Sequence, residues 1–169
     1  MSKTNEEKRV LLRFAIQALI RRLQSIVLMR RTPQVTDGLK PAVQRGAEAI
    51  IIEMAQLGHP VRITQGLRSI AEQNRLFNQG RTTPGAIVTN ARGGQSFHNY
   101  GVAVDFVFVR EGYNASQSLW ELLGKVGEAR GFEWGGRWTT FLDRPHFELR
   151  MGYTLSHFQN DLIEWSNYN

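Results

Sequence analysis

Apolar and polar positions divide the chain into an unusual leader and an ordinary mixed remainder. Residues 8–31, KRVLLRFAIQALIRRLQSIVLMRR, hold strong helix formers and neither Pro nor Gly. Arg13, Gln17, Arg21 and Gln24 recur every three to four residues as a narrow polar stripe on an otherwise apolar surface, which predicts a basic amphipathic helix. A membrane span needs about 20 mostly apolar residues, and Arg13, Arg21 and Arg22 interrupt this one. No uninterrupted signal-type core with a small-residue cleavage site follows either. Such a helix suits contact with an anionic membrane or wall; packing on its own domain or on a second copy would satisfy the same pattern.

Residues 32–38, with Pro33, Asp37 and Gly38, read as a linker. A helix is expected over 42–57, with Val43, Ala47, Ile50, Ile51 and Met54 on one face, stopped by Gly58-His59-Pro60. The alternation over 61–66 predicts a strand. Ser69 caps a helix over 70–79, with Glu72 placed as in a capping box. Residues 80–94 read as loop, and 102–109, rich in β-branched and aromatic side chains, as a buried strand. A helix over 116–129, capped by Ser116 and ended by Gly131, precedes a short strand over 147–150 and a closing helix over 155–165. Helices and strands in this order predict an α+β fold, organised as a helical extension over 1–34 and one domain over 35–169.

Charge sharpens that division. The chain has 169 residues and a formal net charge of +6. Residues 1–34 carry eight Lys or Arg against two acids, and the remainder is balanced at 13 of each. The excess therefore belongs to the leader, whose only aromatic residue is Phe14, so no stacking platform for nucleic acid is expected there. The absence of cysteine excludes disulfides, thiolate metal sites and cysteine nucleophiles.

Two segments carry chemistry. In the first, His98 leaves a glycine-rich loop, Gly101 permits a tight entry, and Asp105 stands between Val104 and Phe106 inside an apolar strand. A carboxylate there is costly unless paired or metal-bound. In the second, Pro145 stiffens the approach to His146, and Asp143 lies three residues earlier. Two histidines and a carboxylate suit a three-ligand catalytic zinc site with one position left for water. Asp143 is then the candidate proton acceptor. Taken singly, each histidine also fits an ordinary loop or core role, and Asp105 could simply accept backbone hydrogen bonds. Arg68, just after Gln65-Gly66, could polarise a carbonyl or clamp a carboxylate, or form a surface ion pair.

The set Ser96-x-His98-x-x-Gly101-x-Ala103-x-Asp105, Trp134-Gly-Gly-x-Trp138 and Asp143-x-Pro145-His146-Phe147 resembles the M15 metallopeptidases. It is most similar to their L-alanyl-D-glutamate endopeptidases, which include bacterial wall-lytic enzymes and phage endolysins. The resemblance covers about residues 39–147. It implies a small antiparallel sheet carrying the zinc site, flanked by helices, as in D,D-peptidases and the Hedgehog domain. It implies Zn2+ on His98, Asp105 and His146, Asp143 as general base, and a substrate or transition-state role for Arg68. Gln65, Ser96, Trp134 and Trp138 are implied along the substrate cleft, with loop capping as an alternative for Ser96 and core packing for the two Trp. The implied substrate is the peptide stem of peptidoglycan, and the implied place of action is the cell wall; the route there is left open between a phage-type pore and the leader engaging the membrane. Two features depart from the pattern: Arg137 within Trp-Gly-Gly-x-Trp, which bears on substrate preference, and the leader itself. A D-Ala-D-Ala carboxypeptidase and a non-catalytic zinc-containing binding domain are the rival expectations. Oligomeric state is left open, although the apolar leader offers a means of association.

Overall fold

The computed structural model describes the backbone of residues 4–30 and 33–169 and the side chains of residues 4–20 and 35–169. The first helix, α1, spans Asn5–Arg30. It starts three residues before the expected point because Thr4 and Glu7 form a reciprocal cap: Thr4 N donates to the Glu7 carboxylate (2.7 Å) and Glu7 N to the Thr4 hydroxyl (3.3 Å). Arg31, the last residue of the expected helix, and Thr32 of the expected linker lie outside the described residues. The rest of that linker is not extended: a single turn, α2 (Pro33–Thr36), occupies it, with Pro33 at the first position where a missing N–H does no harm.

The domain that follows is built on one four-stranded antiparallel sheet. Helix α3 (Pro41–Gln56) presents Val43, Ala47, Ile50, Ile51 and Met54 to the core, as its spacing predicts. Strand β1 (Val61–Gln65) leads to α4 (Ile70–Asn78), where Ser69 caps by accepting from Glu72 N at 3.1 Å. The other half of the expected capping box is absent, because the Glu72 carboxylate is held by Arg75 instead (2.7 and 2.8 Å). Strand β2 (Ala103–Phe108) and helix α5 (Gln117–Glu128) follow the predicted pattern. A two-residue strand, β3 (Glu133–Trp134), was not foreseen, and β4 is His146–Glu148, one residue earlier than expected. The closing helix is shorter than predicted. The element α6 spans Leu155–Gln159, and the chain then bends through Asp161 in the left-handed region (φ 53°), which no helix can continue through.

The strands run in the order β1-β2-β4-β3. Register decides which side chains meet. Val104 pairs with Phe147, and Asp105 with His146. Because strand side chains alternate between faces, Val104, Phe106, Phe108 and Phe147 point to one side, and Asp105, His146 and Glu148 to the other. The apolar side packs against α3 and α5: Phe108 meets Trp120 edge-on at 5.0 Å, and Trp134 stacks on Phe147 at 6.2 Å. Glycines on α5 permit this contact. A Cβ on Gly124 would lie 2.2 Å from the Trp134 ring. Gly124→Ala is therefore expected to destabilise the domain by about 1–3 kcal/mol through overpacking, seen as a melting temperature several degrees lower; an unchanged melting temperature would mean that Trp134 yields freely.

Candidate active site

The polar face of the sheet receives one further ligand-type residue from outside the strands. His98 sits in a 3-10 turn, Phe97–Tyr100, just ahead of β2. The turn closes at Gly101 in the left-handed conformation (φ 70°), where a Cβ would stand 2.3 Å from the Gly38 carbonyl oxygen. Only glycine combines that dihedral with that closeness. The resulting reversal folds His98 back over Asp105, as the sequence suggests.

Three atoms then converge. His98 Nε2 lies 3.1 Å from Asp105 Oδ1 and 3.1 Å from His146 Nδ1, and His146 Nδ1 lies 2.9 Å from Asp105 Oδ1. The remaining ring nitrogens have acceptors of their own. His98 Nδ1 donates to the Gly66 carbonyl (2.8 Å), and His146 Nε2 to the Glu148 carboxylate (2.9 Å). If each ring's proton occupies that outer bond, three lone pairs face one another. Such an arrangement is repulsive unless a cation stands among them, and two imidazoles and a carboxylate are the donor types a zinc ion takes. Among the described residues, His98, Asp105 and His146 form the one cluster with metal-ligand geometry.

The electrostatics point the same way. Burial opposes the charged forms of both Asp105 and His146. For Asp105, the neighbouring His98 and His146 outweigh burial and hold its pKa well below the usual carboxylate range. For His146, the hydrogen bonds to Asp105 and Glu148 outweigh burial and raise its pKa above the ordinary imidazole value. The pocket thus attracts positive charge, either a proton or a metal ion. Asp143 behaves differently: burial raises its pKa, assisted by the Asp105 charge and resisted by His146, His98 and Arg68. It enters by a close approach, since Asp143 N donates to the Gly135 carbonyl (3.1 Å), and a Cβ on Gly135 would stand 2.5 Å from Asp143 O and 3.2 Å from His146 Cβ.

Arg68 completes the set from the far end of β1. Its Nη2 lies 3.6 Å from Asp105 Oδ2, and Nη1 donates to Gln73 Oε1 at 2.8 Å. It is an inward-facing pair rather than a surface one. Arg68 Nε is the one buried side-chain atom without a hydrogen-bond partner among the described residues, a deficit of about 1–3 kcal/mol. Asn99 fixes the segment, donating to Arg68 O (2.9 Å) and accepting from Gly94 N (2.9 Å).

His98, Asp105, His146, Asp143 and Arg68 open onto a cleft of about 630 Å3, lined also by Gln65, Ser96, Tyr113, Trp138 and Phe141. Trp138 lies against the metal-type cluster, 5.3 Å from the His146 ring. Trp134 does not line the cleft. Its side chain is buried in the core against Phe147, and its Nε1 donates to Arg144 O at 2.7 Å, so the core-packing alternative describes it. Arg137 is turned away as well. It pairs with Glu121 (2.8 Å) and Glu128 (2.9 Å) and covers the Trp134 ring at 4.8 Å. At this departure from the family pattern the guanidinium is matched by acids on α5.

Two polar residues escaped the sequence reading. Glu148 follows His146 by two positions, so strand alternation alone places both on one face. Gln73 is fully buried, accepting from Arg68 and donating to Ala91 O at 2.8 Å. A single glutamine on a short helix gives no such signal in one sequence.

Known proteins match this architecture. The profile of a family described as D-alanyl-D-alanine carboxypeptidase matches residues 89–149. The peptidoglycan L-alanyl-D-glutamate endopeptidase CwlK of Bacillus subtilis (strain 168) is 41% identical over 126 residues, covering 68% of this chain and 75% of that protein. The L-Ala D-Glu endopeptidase ChiX of Serratia marcescens superposes with a TM-score of 0.55 at 24% identity, over 76% of this chain and 90% of that one. A variant of the vancomycin-resistance D,D-pentapeptidase VanY, solved with Zn(II), superposes at 0.51 and 13% identity, over 75% of this chain and 80% of that one. The two superpositions speak for the fold, and the identity to CwlK goes further: the chain belongs to the M15 family of metallopeptidases.

Proposed function

We propose that this protein is a zinc-dependent endopeptidase that cuts the stem peptides of peptidoglycan between L-Ala and D-Glu. The observation that carries the reading is the convergence of His98, Asp105 and His146, with the half-buried Asp143 lining the same cleft. The bond assignment rests on the similarity to CwlK.

His98, Asp105 and His146 would hold the zinc ion, which would supply Lewis acidity and lower the pKa of the attacking water. Asp143 accepts the proton of the attacking water as the new C–O bond forms, and returns it to the departing amine nitrogen as the C–N bond breaks. Burial shifts its pKa upward from the ordinary carboxylate value, the direction that favours holding the proton before it is returned. Arg68, already holding an unmatched donor, pairs with the developing oxyanion or with a substrate carboxylate. Gln65 and Ser96 offer polar contacts along the cleft, and Trp138 offers an aromatic face. Glu148 keeps His146 in the tautomer whose Nδ1 faces the metal. Glu148→Gln is accordingly expected to weaken zinc binding by about 10- to 100-fold, measured by competition with a chelator; unaltered affinity would remove Glu148 from this role.

The test is zinc content by elemental analysis together with digestion of purified peptidoglycan. One zinc per chain and new D-Glu amino termini are expected. Free D-alanine as the sole product would favour the carboxypeptidase named by the matching family profile. Zinc without any product would leave a binding domain.

A further inference from the structure

The catalytic reading leaves α1 unused. Residues 5–20 of this helix are exposed throughout, including Leu12 (60%), Phe14 (70%) and Leu19 (56%). Over residues 9–20 the i, i+4 rows divide sharply. The row Arg9, Arg13, Gln17 is polar, while the rows that begin at Val10, Leu11 and Leu12 are apolar throughout. An apolar surface of that extent on a folded protein marks something that covers it. Among the described residues, no helix is long and apolar enough to cross a membrane.

The charge selects the occupant. Residues 1–34 hold the entire +6 excess, and their two acids, Glu6 and Glu7, sit at the capped end. A second copy would bring the same positive charge to the contact. A hydrated anionic wall polymer would meet the basic row and leave the apolar rows in water. An anionic lipid surface satisfies both: headgroup charge for Arg9 and Arg13, and the acyl boundary for the apolar rows.

We propose that the exposed part of α1, residues 5–20, lies in the interface of an anionic phospholipid membrane and holds the domain over 35–169 at the lipid surface, while the helix also packs against α3. The domain carries no net formal charge and so does not oppose the approach.

The test uses the full chain and two kinds of vesicle, phosphatidylcholine alone and phosphatidylcholine mixed with phosphatidylglycerol. Sedimentation with the mixed vesicles is expected to exceed that with phosphatidylcholine by about tenfold or more and to fall with added salt. The double variant Arg9→Glu, Arg13→Glu is expected to lose that preference, and Leu12→Asp, Phe14→Asp to lose binding altogether. Both are expected to hydrolyse a soluble stem peptide at the parent rate, which separates this inference from the peptidase reading. Equal binding to both vesicles, binding untouched by the variants, or no binding with a dimer that Leu12→Asp dissociates would each overturn the proposal, the last in favour of a second copy.

Discussion

Replacing His98 with alanine is expected to abolish zinc retention and peptide hydrolysis together. His98 Nε2 supplies one of three converging ligand atoms, and its ring is positioned from both sides, by Gly66 O and by the turn that closes at Gly101. Partners one bond removed from a metal are worth about 10- to 100-fold in affinity, so loss of a ligand itself should exceed that range. The side chain is nearly fully buried, so the variant's folding is followed by circular dichroism alongside elemental analysis and turnover of a stem peptide. A folded His98→Ala protein that still carried one zinc and cut peptide would show that the metal lies elsewhere.

Asp143→Asn is expected to have the second-largest effect, with the opposite signature: zinc retained and kcat reduced by about 10²- to 10⁴-fold, the usual worth of a positioned general base. Asparagine keeps the shape and the backbone bond to Gly135 O but cannot take a proton. The distinction between the two variants separates holding the metal from moving the proton. If Asp143→Asn kept both zinc and rate, the base would have to be sought elsewhere, and the case for a binding domain would not gain by it. Arg68 offers a useful comparison, because its contacts with Asp105 and Gln73 tie it to the same face without placing it among the three converging atoms.

Much of the architecture was legible in one sequence because it depends on local periodicity. The apolar face of α3, the β-branched and aromatic run of β2, and the Ser69 and Ser116 caps all rest on neighbours within four residues. The ends were less legible. Strand β3 is two residues long and carries no pattern of its own; it exists because Trp134 pairs with Phe147 across the sheet. The closing helix stops early because the chain turns at Asp161 to bring Tyr168 into the core, where its hydroxyl donates to Leu149 O.

The candidate site divides along the same line. By itself, the sequence determined which residue types were available for chemistry: a carboxylate stranded in an apolar strand, two histidines beside glycine or proline, and a carboxylate three residues ahead of the second. It also determined where the charge lies, since charge is a count. Only the tertiary structure decided which of these meet. Antiparallel register sets Asp105 opposite His146, 41 residues apart in sequence, and the left-handed turn at Gly101 lays His98 across both. The two tryptophans of one motif part in the same way: Trp138 reaches the cleft while Trp134 is buried against Phe147. Periodicity acts within a few residues, whereas a site is assembled by pairing and packing between segments far apart, and that is why the fold class could be read early and the geometry of the cleft could not.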